Sequence, residues 1–162
     1  TDRYESVALS GFNNIAFVPD REPHVAPFTV NTRIYSITLI RTDMSYRWRG
    51  IYNEDTDLCL RVLKDGWLTV QFNAFMGDKA TTMTMNGGNT DTVYAAGDHR
   101  MGFAESLMEQ HPDLVSVVWK FGRWHHQVDY SPFKGKRLRL RAGITPTGAP
   151  DDHGMVLRRV VG

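Results

Sequence analysis

The chain contains a single cysteine, Cys59, in 162 residues. No disulfide can form within it, so a reducing, intracellular setting is expected. Long apolar runs are also missing: none approaches the roughly 18 to 20 residues that a membrane-spanning helix requires, and no signal peptide opens the sequence. A cytoplasmic protein without membrane contact is the expectation. Net charge is almost absent, since 19 Lys and Arg against 18 Asp and Glu leave +1. Internal repeats and low-complexity tracts are lacking too. With 41% hydrophobic residues the chain can bury a core, which excludes disorder and fits one domain or a large part of one. An initiating Met is absent, and the polar start at Thr1 has no targeting character, so the sequence is expected to be part of a longer product.

The small net charge hides an uneven distribution. Lys134, Lys136, Arg137, Arg139 and Arg141 fall within eight residues that contain no acid. Such a stretch attracts polyanions or forms a solvated end, and either reading separates residues 1–133 from a basic C-terminal tail over 134–162.

Three carboxylates, Glu54, Asp55 and Asp57, occupy four consecutive positions. Like charges this close repel and raise at least one pKa, so the cluster calls for a base, a metal or an Arg partner. It opens a helix expected over 56–64: Leu58, Val62 and Leu63 recur at helical spacing, an Asn or Asp can cap the first turn, and Asp65-Gly66 stops it. Asp57 and Arg61, four apart, can pair on its surface. Cys59 falls on the apolar side and is not expected to be a catalytic thiol.

Around that helix, residues 15–18 read as a strand followed by a loop broken by Pro19, Pro23 and Pro27. Residues 33–40, apolar on both faces, read as a central strand. Residues 67–72 alternate as a half-buried strand, with Leu68, Val70 and Phe72 on one side. Residues 73–96 form a polar loop containing Gly87, Gly88 and Asn89, without the spacing or the Lys of a phosphate-binding loop. A short helix is expected over 103–110 and a second from Pro112, with Leu114, Val117, Val118 and Phe121 on its apolar side and Gly122 at its end. The succession is α/β. In open α/β sheets, ligands bind at the carboxyl ends of strands, where the acidic cluster sits.

His125 and His126 form a second candidate site. Adjacent histidines point in different directions, so one can be a ligand while the other packs, and mixed His and carboxylate sets suit transition metals. Two partly buried structural histidines beside Trp124 and Tyr130 fit the sequence equally. Nothing singles out His24, His99, His111 or His153.

Several motifs together resemble a known family. They are Asn31-Thr32-Arg33-Ile34-Tyr35-Ser36, Tyr52-Asn53-Glu54-Asp55-Thr56-Asp57-Leu58 with Arg61 and Gly66-Trp67, Phe72-Asn73-Ala74-Phe75, the segment Gly87 to Asp91, and Trp119 to His126 with Val128-Asp129-Tyr130. Over about residues 10–133 the chain is similar to the TET-associated glycosyltransferases of phages, specifically the acceptor-side, C-terminal half of a GT-A domain, a mixed sheet flanked by helices. The resemblance implies transfer of a sugar from a UDP-sugar donor to 5-hydroxymethylpyrimidine, chiefly 5-hydroxymethylcytosine, in phage DNA inside an infected bacterial host, with a divalent cation, Mn²⁺ or Mg²⁺.

By the same resemblance Asp55 is the catalytic carboxylate, with Glu54 and Asp57 shaping its charge. Asn31, Arg33, Asn53, Trp48, Gly88, Asn89 and Trp124 join Asp57 in binding donor or acceptor. His126, or else His125, binds the metal, and the five basic residues from Lys134 to Arg141 meet DNA phosphates. A complete GT-A domain begins with a nucleotide-binding βαβ half carrying an Asp-x-Asp metal motif, and nothing before residue 31 can be that half. The expected partner is therefore a missing N-terminal half, without which this chain is expected to be poorly active. A non-catalytic nucleic-acid-binding module derived from a transferase half, or a transferase with another acceptor, are the alternatives.

Overall fold

The computed structural model describes residues 2–15, 26–50, 52–78 and 99–144. A four-stranded mixed sheet is built from β1 (Val7–Asn14), β2 (Phe28–Val30), β3 (Thr38–Ile40) and β4 (Leu68–Gly77), in the order β2-β4-β1-β3. β1 and β4 run parallel, with Ser10 opposite Val70, while β3 and β2 add antiparallel edges. Helix α1 (Glu54–Lys64) lies in the crossover between the two parallel strands. Helix α2 (Arg100–Gln110) is followed by the two-stranded ribbon β5 (Val115–Lys120) and β6 (Arg123–Val128), and by a 3-10 turn over Ser131–Phe133.

The α1 boundaries follow from its ends. Glu54, Asp55 and Asp57 occupy the positive end of the helix dipole, and Arg61 and Lys64 the negative end. Gly66, at φ 90°, closes it: its N–H donates to Leu63 O and the Trp67 N–H donates to Val62 O, a Schellman stop. The helix is buried on two sides rather than one. Leu58, Cys59 and Val62 pack on Ala8, Leu9 and Ile34 of the sheet layer. Leu60 and Leu63 pack on Leu107, Leu114, Val115 and Phe133. Truncating a fully buried Leu here costs roughly 2–5 kcal/mol.

Several expected elements are corrected. The first strand lies at 7–14, before the apolar stretch at 15–18, whose residues 16–18 fall outside the described ones. Of the segment 33–40 only Thr38–Ile40 is strand, and it is an edge rather than the centre, because Ser36 turns through φ 68°. β4, held between β1 and β2, buries Thr69 and Gln71 as well as Leu68 and Val70, and it runs on to Gly77, through the start of the expected loop. The helix expected from Pro112 is β5: Val115, Val117 and Val118 pair with β6, and Phe121-Gly122, at φ 53° and 71°, form a two-residue hairpin turn.

The described part of the basic segment is tied by its backbone to the start of the chain, with most of its basic side chains exposed. Tyr4 bridges to Leu140, the Glu5 N–H donates to Arg139 O, and the Arg141 N–H donates to Arg3 O.

Candidate functional site

The start of α1 is fixed from both sides. Tyr52 stacks on Phe103 of α2 with ring centroids 3.5 Å apart, and Asn53 Nδ2 donates to Phe103 O at 2.9 Å. Asn53 takes φ 57°, which sets the chain direction into the helix, but its side chain does not cap the first turn. The Asp55 carboxylate turns back on its own turn instead. Its Oδ1 accepts from Thr56 N at 2.7 Å and from Thr56 Oγ1 at 3.2 Å.

The three acids separate sharply. Glu54 is exposed, Asp55 is half-buried, and Asp57 points into the interior with 1% exposure. Asp57 accepts from Arg49 Nη2 at 2.8 Å, Arg61 Nε at 2.9 Å and His111 Nε2 at 2.9 Å. Burial alone would raise its pKa, but the hydrogen bonds from His111 and Arg49 and the Arg61 charge outweigh burial and hold the carboxyl at about 2. The Asp57–Arg61 pair expected on the helix surface thus exists, but it is a buried one.

Two recesses lie at the first turn of α1. The first, of about 410 Å³, is lined by Asn13, Thr32, Arg33, Tyr35, Thr56, Gln71, His126, Val128 and Tyr130. The second, of about 560 Å³, is lined by Tyr35, Ser36, Thr38, Ile40, Trp48, Glu54 and Asp55. Tyr35 belongs to both, and the first turn of α1 gives Thr56 to one and Asp55 to the other. Asn13, at the carboxyl end of β1, accepts from Tyr35 Oη at 3.4 Å, and the Arg33 guanidinium lies 4.4 Å from the Tyr35 ring centre.

The backbone that carries Arg33 and Tyr35 is held rigidly. The Ile34 N–H donates to Cys59 Sγ at 3.2 Å, and the Thr32 N–H donates to Thr69 Oγ1 at 2.9 Å. Gly11 of β1 lets the segment approach closely, since a Cβ there would lie 2.2 Å from Ile37 O. Burial pushes the Cys59 thiol up to about 12, so it is an inert structural group.

Electrostatically the first recess is one unit. Burial lowers the His126 pKa, Arg33 lowers it further, and Asp55 opposes both. Burial raises the Tyr130 hydroxyl, with Asp55 adding and Arg33 opposing. The recess therefore holds a neutral imidazole, a neutral phenol and a fixed cation.

Of the residues singled out from sequence, Arg33, Trp48, Glu54, Asp55 and His126 come together at these recesses. Others lie elsewhere. Asn31 is buried, and its Nδ2 donates to Phe133 O at 2.9 Å and Lys136 O at 3.0 Å. His125 is on the opposite side of β6 from His126 and accepts from Arg123 Nε at 3.0 Å. Trp124 packs edge-on against Trp119 at 5.2 Å and lines neither recess. Gly88 and Asn89 lie outside the described residues. Lys134 and Arg137 are exposed, Lys136 Nζ donates to Leu63 O, Arg139 pairs with Glu5 at 3.3 Å, and Arg141 Nε donates to Asp2 O at 2.6 Å. Asn13 and Gln71 of the first recess, and buried His111, carry no sequence signal, and Thr32 enters only as part of the Asn31–Ser36 motif.

A model of the TET-associated glycosyltransferase family matches residues 1–88, which include Arg33, Trp48 and the acidic cluster. The chain belongs to the TET-associated glycosyltransferase family. The mixed α/β architecture is compatible with a glycosyltransferase half-domain, and the family's name implies a glycosyltransferase acting on modified DNA bases. His126 and the β5–β6 ribbon lie beyond the matched span of this TET-associated glycosyltransferase. No curated protein and no solved structure matches the chain.

Proposed function

We propose that Asp55 is the general base of a transfer from a nucleotide sugar to a 5-hydroxymethylpyrimidine, chiefly 5-hydroxymethylcytosine, in DNA. The observation that carries this reading is the position of Asp55: a half-buried carboxylate at a helix N-terminus, in the wall of the second recess, with Oδ1 tied to Thr56, which lines the first. Tying one oxygen orients the other. Oδ2 accepts the proton of the hydroxymethyl group, the hydroxymethyl oxygen bonds to the anomeric carbon, and the electron pair of the breaking C–O bond leaves with the nucleoside diphosphate.

The second recess suits the pyrimidine. Trp48, 53% exposed, offers a ring face at its edge, and Glu54 offers an acceptor for an exocyclic amine. The first recess suits the departing diphosphate. Arg33 supplies a fixed positive charge there, with Asn13, Gln71 and Thr32 as neutral hydrogen-bonding neighbours.

The divalent cation implied by the resemblance does not find a site in these residues. Among the described residues no group of three His, Cys, Asp or Glu is arranged to hold a metal ion, and His125 and His126 diverge. His126 would supply one ligand of a larger set.

Asp55→Asn tests the reading. Removing a general base lowers transfer by roughly 10² to 10⁴-fold, while DNA affinity stays unchanged. A binding module derived from a transferase half would be indifferent to the substitution.

A further inference from the structure

The tip of the β5–β6 ribbon is costly for the fold. Phe121, the first residue of its hairpin turn, takes φ 53°, a conformation that Asn or Gly adopts more readily than an aromatic residue. Its ring is 91% exposed, and that of Trp119 beside it 58%. Phe121 meets His125 edge-on at 6.2 Å and Trp119 meets Trp124 at 5.2 Å, yet both stay mostly exposed, so strain and exposed apolar surface occur together at the tip.

The charge at the tip is equally one-sided. Lys120 and Arg123 face each other across the turn. Their partners are neutral, Gln127 Oε1 for Lys120 and His125 Nε2 for Arg123, and residues 115–128 contain no acid. Two cations without a carboxylate partner among the described residues, interleaved with Trp119, Phe121 and Trp124, complement a polyanion that also presents flat faces. Nucleic acid has both properties.

The shape decides for the major groove of a duplex. That groove is about 12 Å wide and admits a two-stranded β-ribbon. It also displays position 5 of pyrimidines. Along the ribbon, His126 pairs with Val117, four residues before Phe121, so the first recess begins roughly 13 Å from the tip. A ribbon lying in the groove brings that recess to the groove edge.

We propose that the β5–β6 tip is a DNA wedge that enters the major groove, with Lys120 and Arg123 on phosphates and Phe121 stacked on a base a few steps along the duplex from the acceptor. This rests on DNA being the acceptor, as proposed above.

The test uses 5-hydroxymethylcytosine duplexes with 2-aminopurine placed in turn at each of the roughly four base steps on either side of the modified base. Binding of the full chain is followed by anisotropy across salt, and base unstacking by 2-aminopurine fluorescence. Phe121→Asn relieves the turn, so its Tm rises, yet its affinity is expected to fall about tenfold, with loss of the fluorescence change. Lys120→Gln with Arg123→Gln is expected to reduce the salt slope by about two while the fluorescence change persists at low salt. Unchanged affinity and slope in both variants would overturn the wedge. So would Phe121-dependent binding to phosphatidylserine vesicles with DNA binding untouched by Phe121→Asn. If the parent binds no DNA, the DNA acceptor falls as well; if it binds and is indifferent to both variants, only the wedge falls.

Discussion

His111 Nε2 lies 2.9 Å from Asp57 Oδ1, and the two side chains are 2% and 1% exposed. This contact joins the end of α2 to the first turn of α1, and Arg49 and Arg61 complete the set around the same carboxylate. Asp57 therefore acts on the site from behind, by fixing the helix start that carries Asp55.

Asp57→Asn leaves two guanidinium groups beside a neutral amide. Those guanidinium groups are 48% and 19% exposed and can partly rehydrate, so the loss expected in urea denaturation is roughly 1–3 kcal/mol. Asp113→Asn breaks a pair with Lys64 in which Asp113 is 60% exposed, and exposed pairs contribute at most about 1 kcal/mol. Equal losses in the two variants would contradict the buried network.

The same carboxylate sets the acid limit of stability. Its folded pKa of about 2 lies below the ordinary 3.8. The folded state thus binds fewer protons than the unfolded state, and the stabilisation is present above about pH 4 and lost as pH falls toward 2. The difference corresponds to about 2 kcal/mol. Denaturation midpoints measured from pH 5 to pH 2 should fall in the parent and stay flatter in Asp57→Asn.

Much of this arrangement was legible in the sequence, and the misses have physical causes. Helix α1 announces itself through acids at one end, Gly66 at the other and Leu58, Val62 and Leu63 between them, and the structure extends it by two residues to Glu54. β5 misleads because Leu114, Val117, Val118 and Phe121 fall at helical spacing, although Val117 and Val118 pair with β6 as a strand and Phe121 lies in the hairpin turn. Three valines and the Phe-Gly turn favour a strand, and cross-strand pairing decides it. The inward turn of Asp57 depends on Arg49 and on His111, 54 residues away, and no local pattern reports a contact at that separation. Arg33 and Asp55 could be singled out, while Asn13 and Gln71 reach the first recess only through the parallel pairing of β1 with β4.

Cys59 should behave as a buried probe of folding. Its thiol, pushed up to about 12 and 1% exposed as a residue, holds the Ile34 backbone. Iodoacetamide labelling of the native protein is expected to track global unfolding in rising urea. Rapid labelling in native buffer would show that the α1–Ile34 contact opens locally.

Gly11→Ala tests the strap that carries Arg33 and Tyr35. The new Cβ would sit 2.2 Å from Ile37 O and 2.4 Å from Ile34 Cγ2, so backbone must move. A loss of roughly 1–3 kcal/mol is expected. Gly102→Ala, where nothing lies within 4 Å and the backbone is helical, should stabilise slightly. Similar effects of the two substitutions would contradict the close approach of the strap to β1.

Sugar transfer by Asp55→Asn is the most direct measurement. The full-length product of the gene is assayed with a labelled nucleotide sugar and hydroxymethylated duplex, beside its Asp55→Asn variant, with DNA affinity and Tm measured on both. Asp55 as general base requires a fall in transfer of roughly 10² to 10⁴-fold at unchanged affinity and Tm. A variant that transfers sugar at the parent rate would contradict the assignment of Asp55 and, with it, the reading of the two recesses as donor and acceptor sites.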